Sequence, residues 1–455
     1  MRDRTPGGTL IRGGHVLTSA EPGEITDGAV RVVGDRIDAV GSWSDLAARF
    51  PDDAVSGGVH DIVAPGFVNT HGHFSEALVA GVAEHCTLWE WLQAVIFEIN
   101  PFLTSEMAHV GTMLAGVQML RSGITTASDM FVCAPVQGPV TPGVVRGLEE
   151  IGLRGEVSFG AGDMGPASIE RVIEEHEALR EAADDCRLTR FRVGVAALSA
   201  QSDELFTRSA ELAVTSGCGT HIHLQEVREE VTATRSQYGV TPVAHCERVG
   251  TFAAPTLAAH CVWVDASDRE ILASNGVGVA HNPVSNMILA SGVCPVPELR
   301  RLDVPVGIGV DGAASNDRQN FLESMKLAVL IQRLEHLQAT ALSARDAFRM
   351  ATIEGARALN LDTVTGSLEP GKAADIVVLD GEGPALANVH DPYQKVAYCS
   401  SPADVKDVWV AGERSVANGE VTRVDPAEVV ARSRELSRTL VGNAGLHGLS
   451  ILADS

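Results

Sequence analysis

Phe67-Val68-Asn69-Thr70-His71-Gly72-His73 closes an apolar run that begins at Ile62. The run reads as a buried strand, Ile62–Asn69, with two imidazoles just past its end. Side chains two apart on an extended chain point the same way, so His71 and His73 can both reach one metal ion. Gly72 between them lets the backbone pass close. An H-x-H pair alone occurs by chance; its weight comes from what ends the other apolar runs.

The same pattern recurs along the chain. His223 ends Gly219–Leu224, His260 ends Thr256–Cys261, His281 and Asn282 end Val277–His281, and Asp311 ends Val306–Asp311. With Ile124–Asp129, Gly155–Gly160 and Phe191–Leu198 these make eight short apolar runs separated by helical stretches. Eight such units in about 250 residues match an α/β fold of the (β/α)8 TIM-barrel type, whose active sites lie at the C-terminal ends of the strands. Histidines buried in a core and satisfied by hydrogen bonds are the plainer reading. That reading must account for four consecutive strand ends carrying His, His, His and Asp. Neutral imidazoles with one carboxylate suit Zn²⁺ or another borderline divalent ion, and ligand type alone does not separate zinc from iron or manganese. The chain has only four lysines, at 326, 372, 395 and 406, and none falls in the first seven barrel strands. A binuclear centre bridged by a carboxylated lysine has no candidate residue, so one ion per chain is expected.

Glu226 lies three residues beyond His223 in Thr220-His221-Ile222-His223-Leu224-Gln225-Glu226. An acid there can move a proton between water and a leaving group without being a ligand. The alternative is a solvated loop acid, which is how Glu229 and Glu230 read. His221 points the same way as His223 but lies deeper, and reads as structural. His85, His109, His176, His245, His336, His390 and His447 fall in helical or loop stretches and read as surface or packing residues.

The flanks have a different rhythm. Residues 7–56 alternate short apolar runs with turn signals at Gly7-Gly8, Gly13-Gly14 and Gly34-Asp35, and Ala374–Leu379, Val405–Val410 and Val416–Val424 do the same. A small β-sandwich domain from 1–60 plus 362–424 is expected, with the barrel at 61–361 and a helical tail at 425–455 containing an amphipathic helix over Ala427–Leu440. Ser267-x-x-Glu270 reads as a capping box with Gly276 closing that helix, and Leu114–Leu120 is apolar on a helical period.

A net charge of −24 disfavours nucleic acid and anionic membranes as partners. No apolar leader or stretch of about 18 apolar residues appears. The eight cysteines form no C-x-x-C pair and read as buried free thiols in a reducing cytoplasm.

Together PGFVNTHGH, SGITTASDM, HIHLQEV, LAAHCVWVD, VAHNPVSNMILASGVCPV, GIGVDGAASND and SLEPGKAADIVVLD resemble the amidohydrolase superfamily, in the branch of cytosine, guanine and adenosylhomocysteine deaminases and triazine hydrolases. The resemblance covers most of the chain. It implies that His71, His73, His223 and Asp311 bind metal. It implies that Glu226 transfers protons, that His260 polarises the attacking water, and that Asp311 also accepts the first proton. The implied function is deamination of a small aromatic heterocycle, such as a purine, pterin or pyrimidine, with release of ammonia. The alternative is attack at a triazine substituent or at a urea, carbamate or amide bond. A scaffold protein that has lost its ligands is disfavoured by the intact set. A homodimer or larger homo-oligomer is expected.

One segment departs from the pattern. The adenosylhomocysteine deaminases usually carry Pro-His-Ala-Pro after the fourth strand, where this chain has Ala196-Ala197-Leu198-Ser199-Ala200-Gln201. A nucleoside thioether is therefore not expected, and a compact, uncharged, planar ring is. Trp89 and Trp91 can stack on such a ring or staple the following helix. His281 and Asn282 are candidates to meet ring polar atoms. Gln201 would read a sugar if the pocket opened for a nucleoside.

Overall fold

The computed structural model describes residues 7–134 and 138–446. Expectations for His447 and for the end of the tail lie outside the described residues. Its strands, in chain order, are β1 Thr9–Leu17, β2 Glu24–Val33, β3 Arg36–Ser42, β4 Ala54–Pro65, β5 Phe67–His73, β6 Ile124–Phe131, β7 Arg154–Phe159, β8 Thr189–Val195, β9 Thr220–Leu224, β10 Thr256–His260, β11 Gly278–His281, β12 Val306–Ile308, β13 Asp311–Gly312, β14 Ile376–Leu379, β15 Val405–Val410, β16 Glu413–Ala417 and β17 Glu420–Val421.

Strands β5 to β11 pair in sequence and in parallel, β11 pairs β12, and both β12 and β13 pair β5. The sheet is closed, with its eighth strand in two pieces. The break at Gly309-Val310 follows from crowding on the barrel floor. A Cβ on Gly309 would lie 2.0 Å from Asn282 Oδ1 and 3.0 Å from the His71 Cβ. The Val310 N–H donates to the Asn69 side chain at 2.9 Å instead of to a neighbouring strand. The other sheet runs β17-β16-β15-β14-β4-β1-β2-β3, so both chain ends build it. It has its own core of Ile11, Val30, Val63, Ile376, Val378 and Trp409. The fold is an α/β TIM barrel with a small β-sandwich domain contributed by both ends.

The run Ile62–Asn69 is not one strand. Ile62–Pro65 pairs with β14 in the small domain, and the barrel strand begins at Phe67. Pro65 has no N–H to continue a ladder. Gly66 then crosses so close to Thr125 that a Cβ would stand 2.2 Å from that side chain. A second correction concerns the helix Ala266–Ser274. Its cap is Asp265, reciprocated by Asp268, and the Ser267 hydroxyl donates to Asp265 at 2.6 Å. Asp265 is extended and accepts from the Asp268 N–H at 3.0 Å, so the helix begins two residues earlier and the Ser267 hydroxyl is spent on the cap itself. Val416–Val424 is two short strands around Asn418-Gly419. All eight cysteines are free, but Cys399 is exposed and Cys86, Cys186 and Cys218 are only partly buried.

The barrel and the small domain are tied by Arg154, whose guanidinium makes two hydrogen bonds to Asp375, at 3.0 and 3.1 Å. The helix Pro426–Asn443 packs on Ser105–Arg121 through Val429, Leu436 and Leu440. Among the described residues no helix is long and apolar enough to cross a membrane.

Candidate active site

The barrel topology brings His71, His73, His223, His260 and Asp311 to one mouth. His71 Nε2 and His73 Nε2 each lie 3.3 Å from Asp311 Oδ1, and His73 Nε2 lies 3.1 Å from His223 Nε2. A tetrahedral ion with bonds of about 2.0–2.1 Å has ligand–ligand edges of about 3.3 Å, which these three separations approach.

The far side of each imidazole explains why these nitrogens face one point. His73 Nδ1 donates to the Met130 carbonyl at 2.6 Å, and His223 Nδ1 donates to the Ala196 carbonyl. Both rings therefore present a bare Nε2. His71 Nδ1 lies 2.9 Å from His221 Nε2, and His71 Nε2 is buried with no hydrogen-bond partner. An orphaned lone pair inside a barrel is costly unless something electrophilic meets it. Burial pushes His71 down to about 4 and holds His223 well below the ordinary imidazole range. Burial opposes protonation of His73 too, but Asp311 and Glu76 outweigh it and raise that ring to about 10. The difference arises because Glu76 and the Met130 carbonyl act on His73 and not on His71. Those carboxylates favour a cation at His73 Nε2, a place that a proton fills without an ion and that a metal ion would take instead. Among the described residues, His71, His73 and His223 form one group able to hold metal, and His71, His260 and Asp311 another.

Beside this set stand the groups expected to carry acid–base chemistry. Asp311 Oδ2 accepts from Ser285 Oγ at 2.6 Å and lies 3.8 Å from His260 Nε2. His260 Nδ1 accepts from Asn286 at 2.9 Å and Asn282 at 3.3 Å, which leaves the ring hydrogen on Nε2. That Nε2 points to Glu226 Oε2 at 3.6 Å. Glu226 accepts from Ser291 Oγ at 3.0 Å, and burial raises its pKa. His260, Asp311 and the neighbouring Gln225 have φ of 72°, 62° and 51°. Three non-glycine residues in the left-handed region at strand ends are strained by choice of position, which is how barrel mouths aim side chains.

Above the set lies a cavity of about 150 Å³. Leu88, Trp89, Trp91, Leu92, Ile96, Phe97 and Leu289 form its apolar wall, and Ala196, Ala197, Ser199 and Ala200 line another side. Among the described residues its lining contains no lysine and no arginine.

Of the residues expected to touch substrate, Trp89 and Trp91 lie on this wall, and Gln201, His281 and Asn282 do not. Gln201 is buried behind it, with its amide donating to the Ala161 carbonyl at 3.0 Å. Asn282 is fully buried and holds His260 rather than facing the cavity. His281 is likewise fully buried beneath the mouth and absent from the lining. The reason is common to the last two: they sit level with the strand end, one layer below the loops that build the wall. Gly72 is less constrained than its sequence suggests, since a Cβ there would meet nothing nearer than 3.3 Å.

Two acids escaped the sequence reading. Glu76 is buried, accepts from the Ala314 N–H at 3.1 Å, and is raised by burial to about 8. Glu230, which reads as a solvated loop acid, is instead buried in the cavity wall. Its Oε2 accepts from the Glu226 N–H at 3.3 Å and its Oε1 has no partner. Spacing could have found it: in a helix starting at Arg228, residue 230 falls in the first turn, facing back to the strand end.

Burial raises Glu230 from 4.5 to about 8. Between those values the folded protein holds a proton that the unfolded chain gives up, so this group costs stability as pH rises. Glu230→Gln is therefore expected to gain thermal stability relative to the wild type from pH 5 to pH 9. Unfolding midpoints at the two ends of that range check it; a constant difference would refute the assignment.

A model of the amidohydrolase family matches residues 62–415, which span the barrel and most of the second half of the small domain. The chain belongs to the amidohydrolase family. A shorter match, over residues 28–52, is to an imidazolonepropionase-like composite domain of bacteria. Among this family's members, the chain is 35% identical over 394 residues to 5'-deoxyadenosine deaminase of Methanopyrus kandleri, covering 86% of this chain and 90% of that protein. It is 35% identical over 435 residues to 5-methylthioadenosine/S-adenosylhomocysteine deaminase of Pelotomaculum thermopropionicum, covering 95% and 98%. A crystal structure of an adenosine deaminase from Xanthomonas campestris with bound zinc superposes with a TM-score of 0.90 at 29% identity, covering 96% of this chain and 99% of that one.

Proposed function

We propose that this amidohydrolase uses one zinc ion to deaminate an uncharged aminopurine, as the base or as a nucleoside without an anionic group. The observation that carries the reading is the convergence of three bare Nε2 atoms and Asp311 Oδ1 beneath an aromatic cavity, with Glu226 and His260 beside them. His71, His73, His223 and Asp311 would hold the ion, which would supply an activated water. Asp311 takes the proton released as water attacks the carbon that bears the amino group. The Nε2–H of His260 orients the attacking oxygen. Glu226, protonated more readily because it is buried, gives its proton to the ring nitrogen, where attack places negative charge. Asp311 then passes the proton taken from water to the amino group, ammonia leaves, and the hydroxyl left on the carbon returns a proton to Glu226 as the carbonyl forms.

The departure at Ala196–Gln201 argued against nucleoside thioethers. The curated relatives are named for adenine nucleosides, so the reading widens to include neutral nucleosides. The cavity lining, without lysine or arginine and with four acids, Glu76, Glu226, Glu230 and Asp311, offers nothing to pair with a phosphate or a substrate carboxylate. Ammonia release from adenine, 5'-deoxyadenosine and methylthioadenosine is therefore expected to exceed release from adenosine 5'-phosphate and S-adenosylhomocysteine by tenfold or more in kcat/KM, since desolvating an unpaired charge costs well over about 1.4 kcal/mol. A nucleotide as best substrate, or no ammonia from any aminopurine, would overturn this reading.

A further inference from the structure

The structure assigns His221 a role not implied by its place below the mouth: we propose that His221 and Ser158 form a hydrogen-bonded relay that fixes the hydrogen of His71 on Nδ1 and so keeps Nε2 bare for the metal. The proposal rests on the metal reading above.

The hydrogens can be assigned one by one. Ser158 Oγ lies 2.9 Å from the Asp129 carbonyl, which can only accept, so the hydroxyl hydrogen is spent there. Toward His221 Nδ1, at 3.1 Å, Ser158 Oγ must then accept, and His221 carries its hydrogen on Nδ1. His221 Nε2 is left with a lone pair, 2.9 Å from His71 Nδ1. That nitrogen donates, and the bare atom of His71 is Nε2, the one buried without a partner beside Asp311. His221 and Ser158 are wholly buried, so water does not compete for the chain.

The other two imidazoles need no such device. His73 and His223 donate to the main-chain carbonyls of Met130 and Ala196, which no substitution removes. His71 is held by a side chain, and its tautomer depends on which residue stands at 221. Partners of this kind change metal affinity by about 10–100-fold when lost.

The test compares zinc affinity of metal-stripped wild type, His221→Leu, His221→Gln and Ser158→Ala, by competition with a chromophoric chelator. Thermal unfolding of each stripped protein reports folding separately. His221→Leu is expected to weaken zinc by about 10–100-fold. His221→Gln, whose amide oxygen can accept from His71 Nδ1, is expected to recover part of that loss. Ser158→Ala is expected to weaken zinc by less, because His221 is freed to exchange tautomers; it touches no ligand and carries the test if His221→Leu does not fold. Unchanged affinity in both His221→Leu and Ser158→Ala would overturn the relay. So would an unchanged Ser158→Ala with His221→Gln as weak as His221→Leu, which is the mark of a space-filling residue. A wild-type protein that takes up no zinc would instead overturn the metal reading, and the relay with it.

Discussion

Glu226→Gln is expected to lower kcat for ammonia release by about 10²–10⁴, the range associated with loss of a positioned acid–base group. The substitution should leave the ion in place, since Glu226 is not among the proposed ligands and faces His260, at 3.6 Å. Gln keeps an oxygen to accept from Ser291 and changes neither the left-handed turn at Gln225 nor the fold around it. KM should move little, because the lost function is proton delivery and not binding. Steady-state kinetics paired with metal analysis separates this from trivial metal loss. Near-normal turnover with metal bound would remove Glu226 from the mechanism.

A larger effect is expected from the ligand set. His223→Ala leaves His71, His73 and Asp311 with one corner of the tetrahedron open. It also frees the Ala196 carbonyl, which now accepts from His223 Nδ1. Activity should fall to background and the purified variant should hold far less metal. Stripping the wild type with a chelator should give the same loss, restored by one equivalent of zinc. The two arms differ in one respect: the stripped wild type recovers on adding metal at low concentration and His223→Ala does not. Recovery of both to the same level would place His223 outside the set.

The barrel and the convergence of the proposed ligands were legible because both depend on residues fixed by strand geometry. A run of apolar residues ending in His or Asp has one place to go in a closed parallel sheet, and His71, His73, His223, His260 and Asp311 all went there. The cavity wall was not legible in the same way. Gln201, His281 and Asn282 carry suitable chemistry, yet lie behind or below the wall, because loop packing and not strand period decides which face is open. Glu230 was misread for the converse reason: its neighbours Arg228 and Glu229 are polar, and finding it requires placing the helix start at Arg228, which turns one of these three charges inward. The Ile62–Asn69 run hid a domain crossing, since apolar residues on both sides of Pro65-Gly66 are buried, but in different sheets.

The central claim, a single-ion hydrolytic deaminase, is tested most directly by elemental analysis of purified wild type and Glu226→Gln, run beside ammonia release from 5'-deoxyadenosine. The account predicts about one divalent ion per chain in both proteins, with rapid ammonia release only in the wild type. Two tightly held ions per chain that are both needed for turnover, or full turnover with none, would contradict it.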